Sequence, residues 1–127
     1  ARLIGVEQSA LVIGRRPANA VTIVDFYAPW CGPCRVMTHT IKKLMGTRDD
    51  LALRKINIVD WDRPVVAQHL GGVTNIPHVR IYGKDGAQVA AITGVKKEEL
   101  SAAIAQAAGP PPAPPDAVPL FIMILVS

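Results

Sequence analysis

A β-favouring run that leads into a helical repeat, with two cysteines at the junction, is the feature that most constrains this fold. Residues 21–27 are all β-branched or aromatic apart from Asp25, which is typical of a central strand covered on both faces. Apolar residues then recur at helical spacing, which predicts a helix over residues 32–45 that Gly46 ends. A strand followed directly by a helix indicates a layered α/β fold.

The rest of the chain continues this alternation. Further elements are predicted as a strand over 51–58, a short helix over 62–70, a hairpin of 77–82 and 87–93, and a helix over 96–108. Asp62 and Pro64 are the expected cap and first-turn proline of the short helix. A short strand is expected around residues 3–6 and a helical turn at 9–14. The predicted fold is a central mixed β-sheet flanked by α-helices.

Length and composition indicate a single folded domain. The chain has 127 residues, of which 50% are apolar and 19% charged, enough to build one core but not two. Its net charge of +4 comes from scattered basic residues rather than the clustered stripe of a nucleic-acid surface, so no nucleic-acid partner is expected. We place the domain at residues 1–109.

The C-terminal segment differs from this domain. Residues 110–119 form a proline-rich linker, predicted to be extended, and 120–127 form an apolar tail too short to cross a bilayer. The tail is interpreted as the start of a membrane anchor, as a docking strand or, less favourably, as a remnant of cloning. A membrane tether through this tail would favour the cell envelope or periplasm over a bacterial-type cytoplasm.

Three interpretations compete for Cys31 and Cys34. A structural disulfide is disfavoured because a loop this short gains almost no closure entropy. A zinc site needs two more ligands, and no histidine pair has a suitable spacing, so no metal is expected. Redox chemistry remains. At a helix N-terminus, Cys31 would face unpaired backbone N–H groups that favour its thiolate, whereas Cys34 would face inward.

Asp25 is the expected proton acceptor for Cys34. It lies on the adjoining strand, six residues before Cys31, and a buried carboxylate has a raised pKa that suits a general base. A second interpretation, compatible with the first, is that Asp25 forms a salt bridge with a neighbouring strand, for which Lys55 is the candidate partner.

Several segments, in order, resemble the thioredoxin family: residues 24–35, residues 55–58 with Lys55, the pair Ile76-Pro77, and Gly94. The resemblance covers residues 17–108 and implies a thioredoxin fold with protein-disulfide oxidoreductase activity. It implies that Cys31 is the nucleophile and Cys34 the resolving thiol. Asp25 would be the buried acid–base group with Lys55 as its neighbour, and no cofactor is needed beyond the redox-active disulfide.

The resemblance also implies a substrate groove that includes a cis proline. Its expected members are Trp30, Gly32, Pro33, Ile76, Pro77, His78 and Gly94. His78 replaces a residue that is commonly threonine in the family. Two interpretations of His78 are open: a protonated histidine that stabilises the Cys31 thiolate and makes the dithiol more oxidising, or a solvated residue at the groove rim.

The Gly-Pro pair between the cysteines resembles the reducing members of the family, so a reductant of protein disulfides is expected. Its partners would be disulfide-containing proteins and a reductase or membrane electron donor. An envelope-side oxidant or isomerase, tethered through the tail, is the alternative. A redox-silent peptide-binding module is a distant third interpretation, because both cysteines and Asp25 are present.

Overall fold

The computed structural model describes residues 2–7 and 19–109. Within these ranges the strands are β1 (Arg2–Glu7), β2 (Val21–Tyr27), β3 (Leu51–Asn57), β4 (His78–Tyr82) and β5 (Gln88–Thr93). The helices are α1 (Gly32–Met45), α2 (Pro64–His69) and α3 (Lys97–Ala108). The predicted mixed sheet with flanking helices is therefore confirmed. The predicted turn at 9–14 and the C-terminal linker and tail lie outside the described residues.

The five strands form one sheet in the order β1-β3-β2-β4-β5. β3 pairs in parallel with both β1 and β2, whereas β4 runs antiparallel to both β2 and β5. Asp25 of β2 therefore lies beside Lys55 on one neighbour and Val79 on the other. Because β2 is the central strand, the junction between β2 and α1, where the two cysteines lie, is at the middle of one end of the sheet.

Side chains of β2 alternate between two apolar clusters, as strand geometry requires. Val21 and Ile23 pack with residues of α1 and α3, including Met37, Ile41 and Leu100. Val24 and Phe26 pack in the other cluster, which contains both cysteines together with Ile56 and Val65. Asp25 shares the parity of Ile23, so its carboxyl group lies on the face that α1 covers.

One predicted cap is wrong. The N-cap of α2 is Arg63, which makes no side-chain capping bond, although Pro64 does occupy the first turn as expected. Asp62 does not cap the helix because it belongs to the preceding turn, where its backbone N–H donates to Oδ1 of Asp60 at 2.9 Å. Among the described helices, none has the length and apolar character to span a membrane.

Candidate active site

The two cysteines lie where the sequence predicts, at the N-terminus of α1, and are joined as a disulfide. Cys31 is the N-cap residue with extended backbone angles, and Pro33 occupies the first turn. The backbone N–H of Cys34 donates to Sγ of Cys31 at 3.1 Å. This N–H and the positive end of the helix dipole both favour negative charge on Cys31. The arrangement therefore favours the thiolate form of Cys31 over that of Cys34.

Access to the two sulfurs differs. A cleft of about 290 Å³ is lined by Cys31 together with four of the expected groove residues, Trp30, Gly32, Pro33 and Ile76. Cys34 does not line this cleft and is 1% exposed, compared with 5% for Cys31. A substrate in the cleft would therefore meet Cys31 first.

Asp25 is fully buried beneath α1. Its Oδ2 accepts a hydrogen bond from the Thr38 hydroxyl at 3.1 Å, whereas Oδ1 has no hydrogen-bond partner. Burial raises the pKa of Asp25 from 3.8 to about 6, against the opposing effects of the Lys55 charge and the Thr38 hydrogen bond. Asp25 is thus a carboxyl group that titrates near neutral pH and has one free oxygen.

The alternative salt bridge between Asp25 and Lys55 does not form. In the part of the chain that the structure describes, the salt bridges involve other residues, and Nζ of Lys55 lies 4.1 Å above the centre of the Tyr27 ring. Lys55 still lowers the pKa of Asp25 through space. It is therefore placed to tune Asp25 without neutralising it.

The expected cis-proline loop is present beside the dithiol. The Ile76–Pro77 peptide bond is cis, and the carbonyl oxygen of Ile76 lies 3.8 Å from Sγ of Cys31. The backbone N–H of Gly94 donates to the carbonyl oxygen of Pro77 at 2.9 Å. Gly94 has a φ of +92°, a conformation that glycine adopts without strain. Pro77 and Gly94 do not line the cleft, but they hold the loop that does.

The structure contradicts both interpretations of His78, as a protonated neighbour of Cys31 and as a solvated residue at the groove rim. It is 4% exposed, so it is not a solvated rim residue. Nε2 accepts a hydrogen bond from Nε of Arg80 at 3.1 Å, which leaves Nδ1 to donate to the Thr93 hydroxyl at 2.8 Å. Burial and the Arg80 charge lower the pKa of His78 to about 4. The imidazole is therefore neutral at pH 7 and brings no positive charge to Cys31.

Sequence reasoning missed four residues of this region. Thr38 contacts Asp25. Its position four residues after Cys34, on the same face of the helix, could have identified it as a neighbour of the site. Trp61, Thr74 and Asn75 complete the lining of the cleft, but they come from loops whose path no periodicity predicts. No cluster of three or more potential metal-ligating side chains occurs within residues 2–7 and 19–109.

Known proteins match this chain over the region that contains the dithiol and the cis-proline loop. The family model described as Thioredoxin matches residues 13–106. Thioredoxin from Chlamydia pneumoniae is 35% identical over 83 residues, which cover 65% of this chain and 78% of that protein. Chloroplastic thioredoxin F1 from Arabidopsis thaliana is 36% identical over 92 residues, covering 72% of this chain and 50% of that protein.

Solved structures agree with these sequence matches. The crystal structure of thioredoxin f2 from Chlamydomonas reinhardtii superposes with a TM-score of 0.67 at 26% identity, covering 83% of this chain and 96% of that one. The residues matched by the family model contain β2, the bonded cysteine pair and the cis-proline loop. The chain therefore belongs to the thioredoxin family and is a thiol–disulfide oxidoreductase.

Proposed function

We propose that this protein reduces the disulfide bonds of other proteins, with Cys31 as the attacking thiolate and Cys34 as the resolving thiol. The observation that carries the proposal is the position of Cys31. Cys31 lines the cleft, and its sulfur accepts a hydrogen bond from the backbone N–H of Cys34 at 3.1 Å. The same sulfur is thus both the accessible one and the one whose negative charge is stabilised.

In the first step, the Cys31 thiolate attacks one sulfur of a substrate disulfide. A bond forms between Sγ of Cys31 and that sulfur, the substrate S–S bond breaks, and the second substrate sulfur leaves as a thiolate that takes up a proton. The neighbouring backbone of Ile76, 3.8 Å from Sγ of Cys31, and the cis Pro77 border the space in which an extended substrate segment would pair.

In the second step, Cys34 loses its proton and attacks Sγ of Cys31. This forms the Cys31–Cys34 disulfide, the state that the structure describes, and releases the first substrate sulfur as a thiolate. Cys34 is shielded in an apolar cluster, where its thiol needs a base. We assign that role to the carboxylate of Asp25, whose free Oδ1 and pKa of about 6 suit it near neutral pH.

Lys55 and the remaining groove residues take supporting roles in this proposal. Lys55 lowers the pKa of Asp25 and so keeps a larger fraction of it ionised at pH 7. Trp30, Gly32, Pro33 and Ile76 contact the substrate, and Pro77 and Gly94 hold the Ile76 backbone in place. His78 is left out of the contacts with substrate because it is buried behind Arg80 and Thr93.

The proposed turnover ends with an oxidised protein, so a separate donor must return two electrons to Cys31 and Cys34. A reductase or a membrane electron donor would fill this role, and a tether through residues 110–127 would place the domain near the latter. The oxidant alternative had two grounds, a charged His78 and the C-terminal tail, and the first concerns the described residues. A pKa lowered to about 4 removes that support.

Reduction of insulin by dithiothreitol tests the proposal. The wild type should accelerate precipitation of the insulin B chain, whereas Cys31→Ser should not exceed the rate with dithiothreitol alone. Val89→Ala, an exposed position on β5, is the matched control and should behave as the wild type. Equilibration with glutathione should give a reduction potential near the thioredoxin value of about −270 mV. A potential near about −120 mV would instead indicate an oxidant.

A further inference from the structure

A second tryptophan borders the cleft beside Cys31. Trp61 lies in the loop between β3 and α2 and lines the same cleft as Trp30. Both side chains are accessible, Trp30 being 57% and Trp61 37% exposed. Tryptophan is a large, stiff side chain that dominates contact energies where it is buried by a partner. Thiol–disulfide exchange itself needs only the sulfur atoms, so two exposed tryptophans on the cleft are available to contact other parts of a substrate.

The loop before Trp61 is held in an unusual conformation. Val59 has a φ of +65°, a left-handed conformation that is rare for a β-branched residue and costs on the order of 1–3 kcal/mol. Oδ1 of Asn57 accepts the Val59 backbone N–H at 2.8 Å and stabilises the turn. The turn directs the Val59 carbonyl oxygen toward Trp30, whose indole N–H donates to it at 2.7 Å.

The residues around Trp61 extend this bonding. The backbone N–H of Asp60 donates to the carbonyl oxygen of Ile58 at 2.7 Å, and Oδ1 of Asp60 accepts the N–H of Asp62 at 2.9 Å. Arg63 lies 3.6 Å from Oδ2 of Asp60. The backbone on both sides of Trp61 therefore makes local hydrogen bonds, which limit the backbone conformational entropy that is lost when a substrate contacts Trp61.

The chemistry of the cleft indicates what it accepts. Among the described residues that line it, none has a charged side chain, and the polar ones are the neutral Thr74 and Asn75. At about 290 Å³ the cleft lies at the lower end of the range for small-molecule pockets. This volume suits one or two side chains of a peptide. An uncharged cleft with two tryptophans favours a bulky apolar or aromatic side chain over a charged or small polar one.

We propose that Trp61 is a specificity-determining residue, which selects protein disulfides whose attacked cysteine is flanked by a bulky apolar or aromatic side chain. The inference rests on the proposed function, because the selected side chain must enter the cleft while Cys31 attacks the neighbouring sulfur. Trp61 forms the part of the binding surface contributed by the β3–α2 loop, and the Asn57–Val59 turn holds Trp30 in place next to it.

The test uses symmetric disulfide dimers of one short peptide with phenylalanine, serine or arginine before the cysteine. Hydroxyethyl disulfide, which has no side chain to seat, serves as the reference substrate. The wild type should reduce the phenylalanine dimer with a kcat/KM about tenfold above that of the serine dimer, which corresponds to about 1.4 kcal/mol. Trp61→Ala should remove most of this preference, while Trp61→Phe should keep most of it.

Controls separate this inference from the proposed function. Val89→Ala should reduce hydroxyethyl disulfide at the wild-type rate, because this exposed position on β5 lies outside the cleft. For every variant the preference is the ratio of kcat/KM for the phenylalanine dimer to kcat/KM for the serine dimer, so a general change in the activity of Trp61→Ala cancels. A Trp61→Ala variant that keeps the phenylalanine preference would overturn the inference and leave the reductase proposal intact. So would a wild type that prefers the arginine dimer, which would indicate cation–π selection instead. A wild type that reduces none of these disulfides would overturn both.

Discussion

Asp25 on β2 and His78 on β4 are both buried titratable residues in the centre of the sheet, yet only Asp25 is free to exchange a proton. They lie on opposite faces, because His78 pairs across the strands with Phe26, the residue after Asp25. Burial drives each toward its neutral form. It raises the pKa of Asp25 to about 6 and lowers that of His78 to about 4.

The hydrogen bonds of the two side chains explain the difference in their roles. Both ring nitrogens of His78 are occupied, by Arg80 and by Thr93, so the imidazole can neither take nor give a proton without breaking a bond. Asp25 has one bonded oxygen and one free oxygen. A perturbed pKa therefore indicates chemistry here only where an atom is left to exchange the proton.

The largest effect in this comparison is expected from Asp25→Asn. The amide keeps an acceptor for the Thr38 hydroxyl but cannot take a proton from Cys34, so insulin reduction at pH 7 should slow by roughly 100-fold or more. The loss should appear in kcat rather than KM, because Asp25 is buried away from the cleft. If Asp25→Asn and the wild type had the same kcat throughout pH 6–8, the assignment of Asp25 as the base would be contradicted.

A second effect of Asp25→Asn concerns stability. The folded pKa of about 6 lies above the ordinary value of 3.8, so the folded state holds a proton that the unfolded state releases between these values. The contribution of Asp25 protonation to the free energy of unfolding is therefore complete below pH 3.8 and is lost as pH rises through about 6.

The gap between these pKa values corresponds to about 3 kcal/mol. Asp25→Asn should therefore raise the free energy of unfolding by up to about this amount at pH 8, and by little at pH 3. Urea unfolding of the oxidised protein at both pH values measures the effect. An increase of the same size at both would show that the buried charge is not its cause.

His78→Thr should have the smallest effect on redox chemistry. A histidine with a pKa of about 4 is neutral at pH 7, so its removal should change the reduction potential by less than about 10 mV. A protonated His78 that stabilised the Cys31 thiolate would instead give a fall of about 30 mV or more on its removal. Equilibration with glutathione at pH 7 separates these outcomes, with Val89→Ala as the control.

The sequence predicts those features that depend on residues close together in the chain, and it fails for those that depend on contacts between distant residues. The bounds of β2 and α1 follow from composition and helical periodicity over neighbouring residues, and the burial of Asp25 follows from its place in an apolar strand. His78 could not be interpreted correctly because its partners depend on strand pairing: Thr93 lies opposite it on β5. Chain proximity does not reveal that contact.

The β3–α2 loop was beyond sequence reasoning for a different reason. A valine favours extended backbone, and its left-handed conformation at position 59 depends on a single side-chain contact from Asn57. The same loop explains the wrong cap, since Asp60 rather than Asp62 supplies the carboxylate that orders it. These details position Trp61, which is why its place at the cleft emerges only from the structure.

Trapping of the mixed disulfide tests the central claim most directly. The reduced Cys34→Ser protein, mixed with insulin whose disulfides are intact, should accumulate a covalent adduct that peptide mapping by mass spectrometry locates at Cys31. Cys31→Ser should form no such adduct under the same conditions, because Cys34 does not line the cleft. An adduct through Cys34 in the Cys31→Ser protein, with none in Cys34→Ser, would contradict the assignment of Cys31 as the nucleophile.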